Sequence, residues 1–143
     1  PKSTRPAPKF LPPAASPAMP DFEPLDNGTP SGYGEISEVR RNPQTGAVTA
    51  VATNSGSERQ PWGIERYTER IEHSTSDAHP ENTSMTGTHR MEVDLPGRKL
   101  RWEADLVFRS DLTGYDYEYV RRVYENDKLL REKRWVQRFP RDP

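Results

Sequence analysis

Residues 85–95 read M-T-G-T-H-R-M-E-V-D-L. Met85, Gly87, His89, Met91, Val93 and Leu95 alternate with Thr86, Thr88, Arg90, Glu92 and Asp94. An extended chain therefore carries a mostly apolar set on one side and a wholly polar set on the other, the period-two pattern of a half-buried strand. After Pro96-Gly97 the alternation restarts, with Leu100, Trp102, Ala104, Leu106 and Phe108 against Arg101, Glu103, Asp105 and Arg109. Tyr115, Tyr117 and Tyr119 begin a third run that reaches Tyr124 and meets Glu125-Asn126-Asp127-Lys128. Asn and Asp tolerate the left-handed backbone of a tight hairpin, so the chain is expected to turn there and return along residues 129–139.

Upstream of this stretch the signals are shorter. G-E-I-S-E-V-R-R leads through Asn42-Pro43-Gln44-Thr45-Gly46 into A-V-T-A-V-A-T-N, a turn cluster between two β-branched runs and hence a hairpin. Asn54-Ser55-Gly56 reads as a second turn, followed by a polar stretch to Trp62-Gly63. Residues 64–73 place Tyr67, Glu69, Ile71 and His73 on one side as a strand, although Ile64, Tyr67, Thr68 and Ile71 would also share a helical stripe. Residues 74–84 read as a polar loop. About six or seven strands with turn chemistry between them, and no convincing long helix, predict an all-β antiparallel sandwich or barrel over residues 34–143.

Residues 1–33 differ in kind. The first 30 residues hold nine of the fifteen prolines. Each proline fixes φ and removes a donor, which excludes helix and central strand and predicts an extended linker or strap. Phe10, Leu11, Met19, Phe22 and Leu25 are spaced apolar residues that would anchor such a strap to a surface.

Composition excludes several function classes. At 143 residues, 30% charged and 31% hydrophobic, the chain is one domain with a thin core. A net charge of -1 provides no nucleic-acid footprint and no anionic-membrane patch, and Arg131, Lys133 and Arg134 read as a solvated strand face or polar interface. No cysteine is present, so disulfides, zinc-thiolate sites and thiol nucleophiles are excluded, in keeping with a reducing, cytoplasmic setting. No run of about 18 apolar residues spans a membrane. The lack of an initiating Met predicts a processed chain or a piece of a longer one. G-x-S-x-G, G-x-G-x-x-G, a Walker loop and H-E-x-x-H are all missing. His73, His79 and His89, with Asp77, lie on different predicted elements without ligand spacing, so no metal, cofactor or catalytic residue is assigned.

The order of several pieces resembles a known family. R-R-N-P-Q-T-G-A-V-T (40–49), S-D-A-H-P (76–80), L-R-W-E-A-D-L-V-F-R-S-D (100–111) and Y-E-N-D-K-L-L-R-E-K-R-W-V-Q-R-F-P-R-D (124–142) are similar to the C-terminal β-domain of the cocaine esterase and X-Pro dipeptidyl-peptidase family of α/β serine hydrolases. The closing W-x-x-x-x-P-R-D, with Trp135, Pro140, Arg141 and Asp142, is the most distinctive piece. The proline-rich lead-in looks like the linker that crosses this domain in many members.

The resemblance implies a jelly-roll-like, galactose-binding-like sandwich beside a hydrolase that carries the Ser-His-Asp triad; no triad position maps onto this sequence. It also implies that earlier strands of the sandwich are absent, so that an apolar sheet face is left to bury against an α/β-hydrolase chain or a copy of itself. Two functions follow as expectations: a non-catalytic C-terminal β-sandwich domain or subunit that shapes the substrate cleft of a serine hydrolase, or a stand-alone β-sandwich binding or assembly protein without enzymatic activity.

Overall fold

A computed structural model of the chain describes residues 21–25 and 38–141. Six long strands run as a meander, each pairing antiparallel with the next: β3 (Ala47–Gln60), β4 (Gly63–Ser76), β5 (Ser84–Leu95), β6 (Arg98–Ser110), β7 (Gly114–Glu125) and β8 (Lys128–Pro140). Two short strands, β1 (Glu23–Pro24) and β2 (Glu38–Arg41), pair with opposite halves of β3 along its outer edge. The described residues thus form one open, all-β antiparallel sheet, and no second layer faces it. No helix among them is long and apolar enough to cross a membrane.

The turns follow from local chemistry. Asn42 closes the β2–β3 turn, its side-chain oxygen accepting from the amides of Gln44 at 2.9 Å and Thr45 at 3.2 Å, before Gly46 takes a positive φ of 69°. Pro96-Gly97 joins β5 to β6, with Gly97 at φ 78°. Asn126 and Asp127, at φ 47° and 64°, make the two-residue β7–β8 hairpin. Two consecutive left-handed residues match the twist of the flanking strands, which is why Asn and Asp are favoured there. The 74–84 loop proves shorter than expected, since β4 continues to Ser76. Ser110 ties the remaining loop to β6, donating to the Glu81 carbonyl at 2.6 Å and accepting from the Thr83 amide at 3.2 Å.

One expected turn is replaced by strand. Asn54-Ser55-Gly56 lies in the middle of β3, fully in register with Glu69, Thr68 and Tyr67 of β4. The reversal comes instead at Pro61-Trp62, where Trp62 Nε1 donates to Glu65 at 2.7 Å. Turn propensity at 54–56 is overridden by the neighbouring strand: Asn54 Nδ2 donates to Glu69 at 3.3 Å, and the Tyr67 ring lies over Gly56 so closely that a Cβ would sit 2.8 Å from it. Residues 64–73 are strand, not helix.

The strap expectation is described only in part. Pro24 and Glu23 pair with Glu58 and Arg59, and the Leu25 amide donates to the Ser57 carbonyl at 2.8 Å. At these positions the backbone and an ion pair from Arg59 Nε to Glu23 at 3.2 Å make the attachment, while Phe22 and Leu25 stay 53% and 40% exposed. Phe10, Leu11 and Met19 lie outside the described residues.

Candidate interaction surface on the apolar face

Directly paired residues of an antiparallel sheet share a face, so the register sorts every side chain. One row runs Ala52, Ile71, Gly87, Leu106, Tyr119, Trp135 across β3 to β8; the next runs Ala50, His73, Met85, Phe108, Tyr117, Gln137. On the other side of the first lies Asn54, Glu69, His89, Ala104, Arg121, Lys133, and beyond it Gly56, Tyr67, Met91, Trp102, Val123, Arg131. This is the apolar side that alternation predicts. Its rings touch one another: Phe108 and Tyr115 are 5.7 Å apart, Tyr117 and Tyr119 6.4 Å, Tyr119 and Trp135 5.4 Å.

The face is nevertheless half open. Of its side chains only Val93 is buried, while Trp102, Leu106, Phe108, Tyr117, Tyr119 and Trp135 are half-buried and Ile71 is 43% exposed. A single layer covers each side chain only from the flanks, so burial stops at the neighbouring strand.

The opposite face is closed by charge. Arg90 binds Glu92 at 2.6 Å and reaches Glu103 at 3.7 Å, Arg101 bridges Glu103 and Asp127 at 3.1 and 2.7 Å, and Lys99 joins Glu92 and Asp94. Arg122 links Asp105 at 2.6 Å with Glu132 at 2.8 Å, spanning β6, β7 and β8. The hydrogen bond from Arg90 holds the Glu92 carboxyl below its ordinary value, and one from Arg70 does the same for Glu72. Val51 and Val120 are buried among these ladders.

Within the apolar face a polar row is set. Glu69 accepts from Asn54 Nδ2 and lies 2.9 Å from His89 Nδ1, while the Asn54 carboxamide oxygen is buried and meets no donor. Beside it a hollow of about 180 Å³ is lined by Ile71, Gly87, Ala104, Leu106 and Tyr119 with Glu69 and His89 at one end. Glu69 carries no special signal in a sequence this rich in carboxylates; its place on the apolar side of the alternation was the clue, and only register brings it to His89. His73 shares its row with Ala50 and Met85, and His79 lies in the β4–β5 loop near Glu81 at 3.2 Å. The three histidines do not converge, and no group of three or more metal-ligating side chains exists among the described residues.

A carboxylate-oriented imidazole is two-thirds of a nucleophilic triad. Among the described residues no hydroxyl bonds to His89 to complete it. What the face offers is a broad apolar surface with few fixed polar points, the chemistry of recognition. No family model matches the chain, and no curated protein or solved structure matches it significantly.

Proposed function

We propose that this chain is a non-catalytic C-terminal β-domain or subunit of a serine hydrolase of the esterase and X-Pro peptidase kind. In this reading the sheet is one layer of a jelly-roll-like sandwich, and its apolar face packs beside the catalytic α/β-hydrolase domain and helps to shape the substrate cleft. The observation that carries it is the contrast between faces: ion pairs cover one side, while half-buried aromatic rings from four strands, β4, β6, β7 and β8, line the other. Apolar area left at the surface on that scale is stabilised by a covering partner. The ordered motifs from Arg40 to Asp142, above all W-x-x-x-x-P-R-D, are the resemblance that supports this family for the reading.

The isolated chain is expected to hydrolyse neither p-nitrophenyl esters nor X-Pro anilides, and co-expression with a G-x-S-x-G hydrolase encoded in the same or the adjacent reading frame is expected to yield a complex that does. Turnover by the purified chain that disappears on His89→Ala or Glu69→Gln would overturn the reading. A stand-alone binding or assembly protein is the second reading, favoured by the hollows in the same face. It predicts that no such hydrolase reading frame accompanies the chain.

A further inference from the structure

On β7 and β8 the cations of the two faces are treated differently. On the polar face Arg134 binds Glu118 at 2.8 Å, and Arg138 binds Asp116 at 2.6 Å and Asp111 at 2.8 Å. On the apolar face Arg121, Arg131 and Lys133 meet no carboxylate among the described residues. Arg121 nevertheless lies directly opposite Lys133, and Arg131 is opposite Val123, one same-face step away. Like charges directly opposed across a ladder destabilise it. Among the described residues Lys133 finds the Trp135 ring, its ammonium 4.6 Å from the centroid. The carboxylates sharing this face near it are engaged elsewhere, Glu125 with Arg98 at 3.1 Å and Glu69 with His89.

The shape of the surface completes the case. The three cations, Val123 and Trp135 line a depression of about 270 Å³. Ala104, which borders the hollow over Gly87, is directly opposite Arg121 across the β6–β7 ladder, and Tyr119 of that hollow is opposite Trp135. The register slips between Val123 and Tyr124, leaving Leu130 as an extra residue beside Arg131. A bulge of this kind twists a strand locally and re-aims its neighbours.

We propose that this corner of the sheet binds a small organic anion with an apolar body. The anionic head, a carboxylate or phosphate, is held by Arg121, Arg131 and Lys133 and relieves their mutual repulsion; guanidinium forks suit either head. The body lies along Trp135 and Tyr119 into the Gly87–Ala104 hollow. The inference rests on the stand-alone binding reading, because the ligand occupies the apolar face that the hydrolase reading would cover.

Calorimetry on the full chain tests it, with dodecanoate and dodecyl phosphate below their micelle concentrations, against dodecyl maltoside, dodecyltrimethylammonium and inorganic phosphate. The two amphiphilic anions are expected to bind one to one, and the neutral and cationic amphiphiles at least about tenfold more weakly, the scale of one lost charge-assisted hydrogen bond. The Arg121→Gln/Lys133→Gln variant is expected to lose at least about tenfold in anion affinity on the same scale. Arg134→Gln, on the opposite face, leaves affinity unchanged. Gly87→Leu fills the hollow and weakens dodecanoate but not inorganic phosphate. Arg131→Gln, at the exposed sheet edge, repeats the charge test should the double variant misfold. Equal binding of the neutral amphiphile, full affinity in the charge variants, or no heat with either anion overturns the proposal.

Discussion

Asp111 ends one strand and starts the next with a single carboxylate. It accepts from the Thr113 hydroxyl and amide at 2.7 Å, from the Gly114 amide at 2.9 Å and from Arg138. The Thr113 hydroxyl first, and Arg138 after it, hold its carboxyl far below the usual carboxylate range. A depressed folded value stabilises the protein above the unfolded pKa of about 4, and the contribution fades as pH falls toward the folded one. Asp111→Asn is therefore expected to melt lower than the parent at pH 7, with a gap that narrows below about pH 4. Thermal melts across pH 3–7 read this, and a gap independent of pH would assign the effect to geometry alone. Glycines separate in the same way. A Cβ at Gly63 would collide with the Asp94 carbonyl and one at Gly114 with the Phe139 carbonyl, whereas at Gly87 its nearest neighbour is Leu106 Cβ at 3.6 Å. Urea midpoints should show Gly63→Ala and Gly114→Ala costing about 1–3 kcal/mol and Gly87→Ala costing little.

At the scale of elements, turns whose chemistry is self-contained were readable and those that depend on a neighbour were not. Asn126-Asp127 is legible from its own residues, because both adopt the positive φ that Asn and Asp tolerate; β6 then adds to the turn, the Lys99 amide donating to Asn126 Oδ1 at 2.8 Å and Arg101 to Asp127 at 2.7 Å. Asn126→Val forces a β-branched residue into the left-handed region, at about 1–2 kcal/mol for the backbone conformation, and loses the bond to Lys99 as well. Equilibrium unfolding checks this, and unchanged stability would mean that the hairpin had changed type. Asn54-Ser55-Gly56 has equal turn character in isolation. There the Tyr67 ring and the Glu69 carboxylate, brought by β4, make Gly56 and Asn54 good strand residues.

For the whole molecule, one open layer means that no aromatic among the described residues reaches full burial. Trp102→Ala and Trp135→Ala are expected to lower stability by less than the roughly 3–5 kcal/mol of a fully packed ring; losses at the full value would place a covering layer over them. The same half-exposed face is expected to drive association when no partner is supplied. Light scattering over a dilution series should show mass rising with concentration, and Tyr119→Lys, which puts a charge in the middle of the ring row, should suppress it. A chain that stays monomeric at high concentration would show that the face needs no cover. The β3 edge is lined by β1 and β2, whereas β8 presents 13 residues with no outer neighbour among the described strands. Its basic side chains oppose pairing with a second copy of itself.

The sequence by itself determined the period-two sides of β5, β6 and β7, the Pro96-Gly97 and Asn126-Asp127 reversals, and the sign of each face. All of these rest on one residue's geometry or on near neighbours along the chain. Only the tertiary structure decided that Glu69 meets His89, that Arg121 faces Lys133, and that β3 runs straight through Asn54-Ser55-Gly56. Each of those depends on the register of strands that are distant in sequence. Alternation tells which side a residue takes; hydrogen bonding between strands settles which residue it finds there.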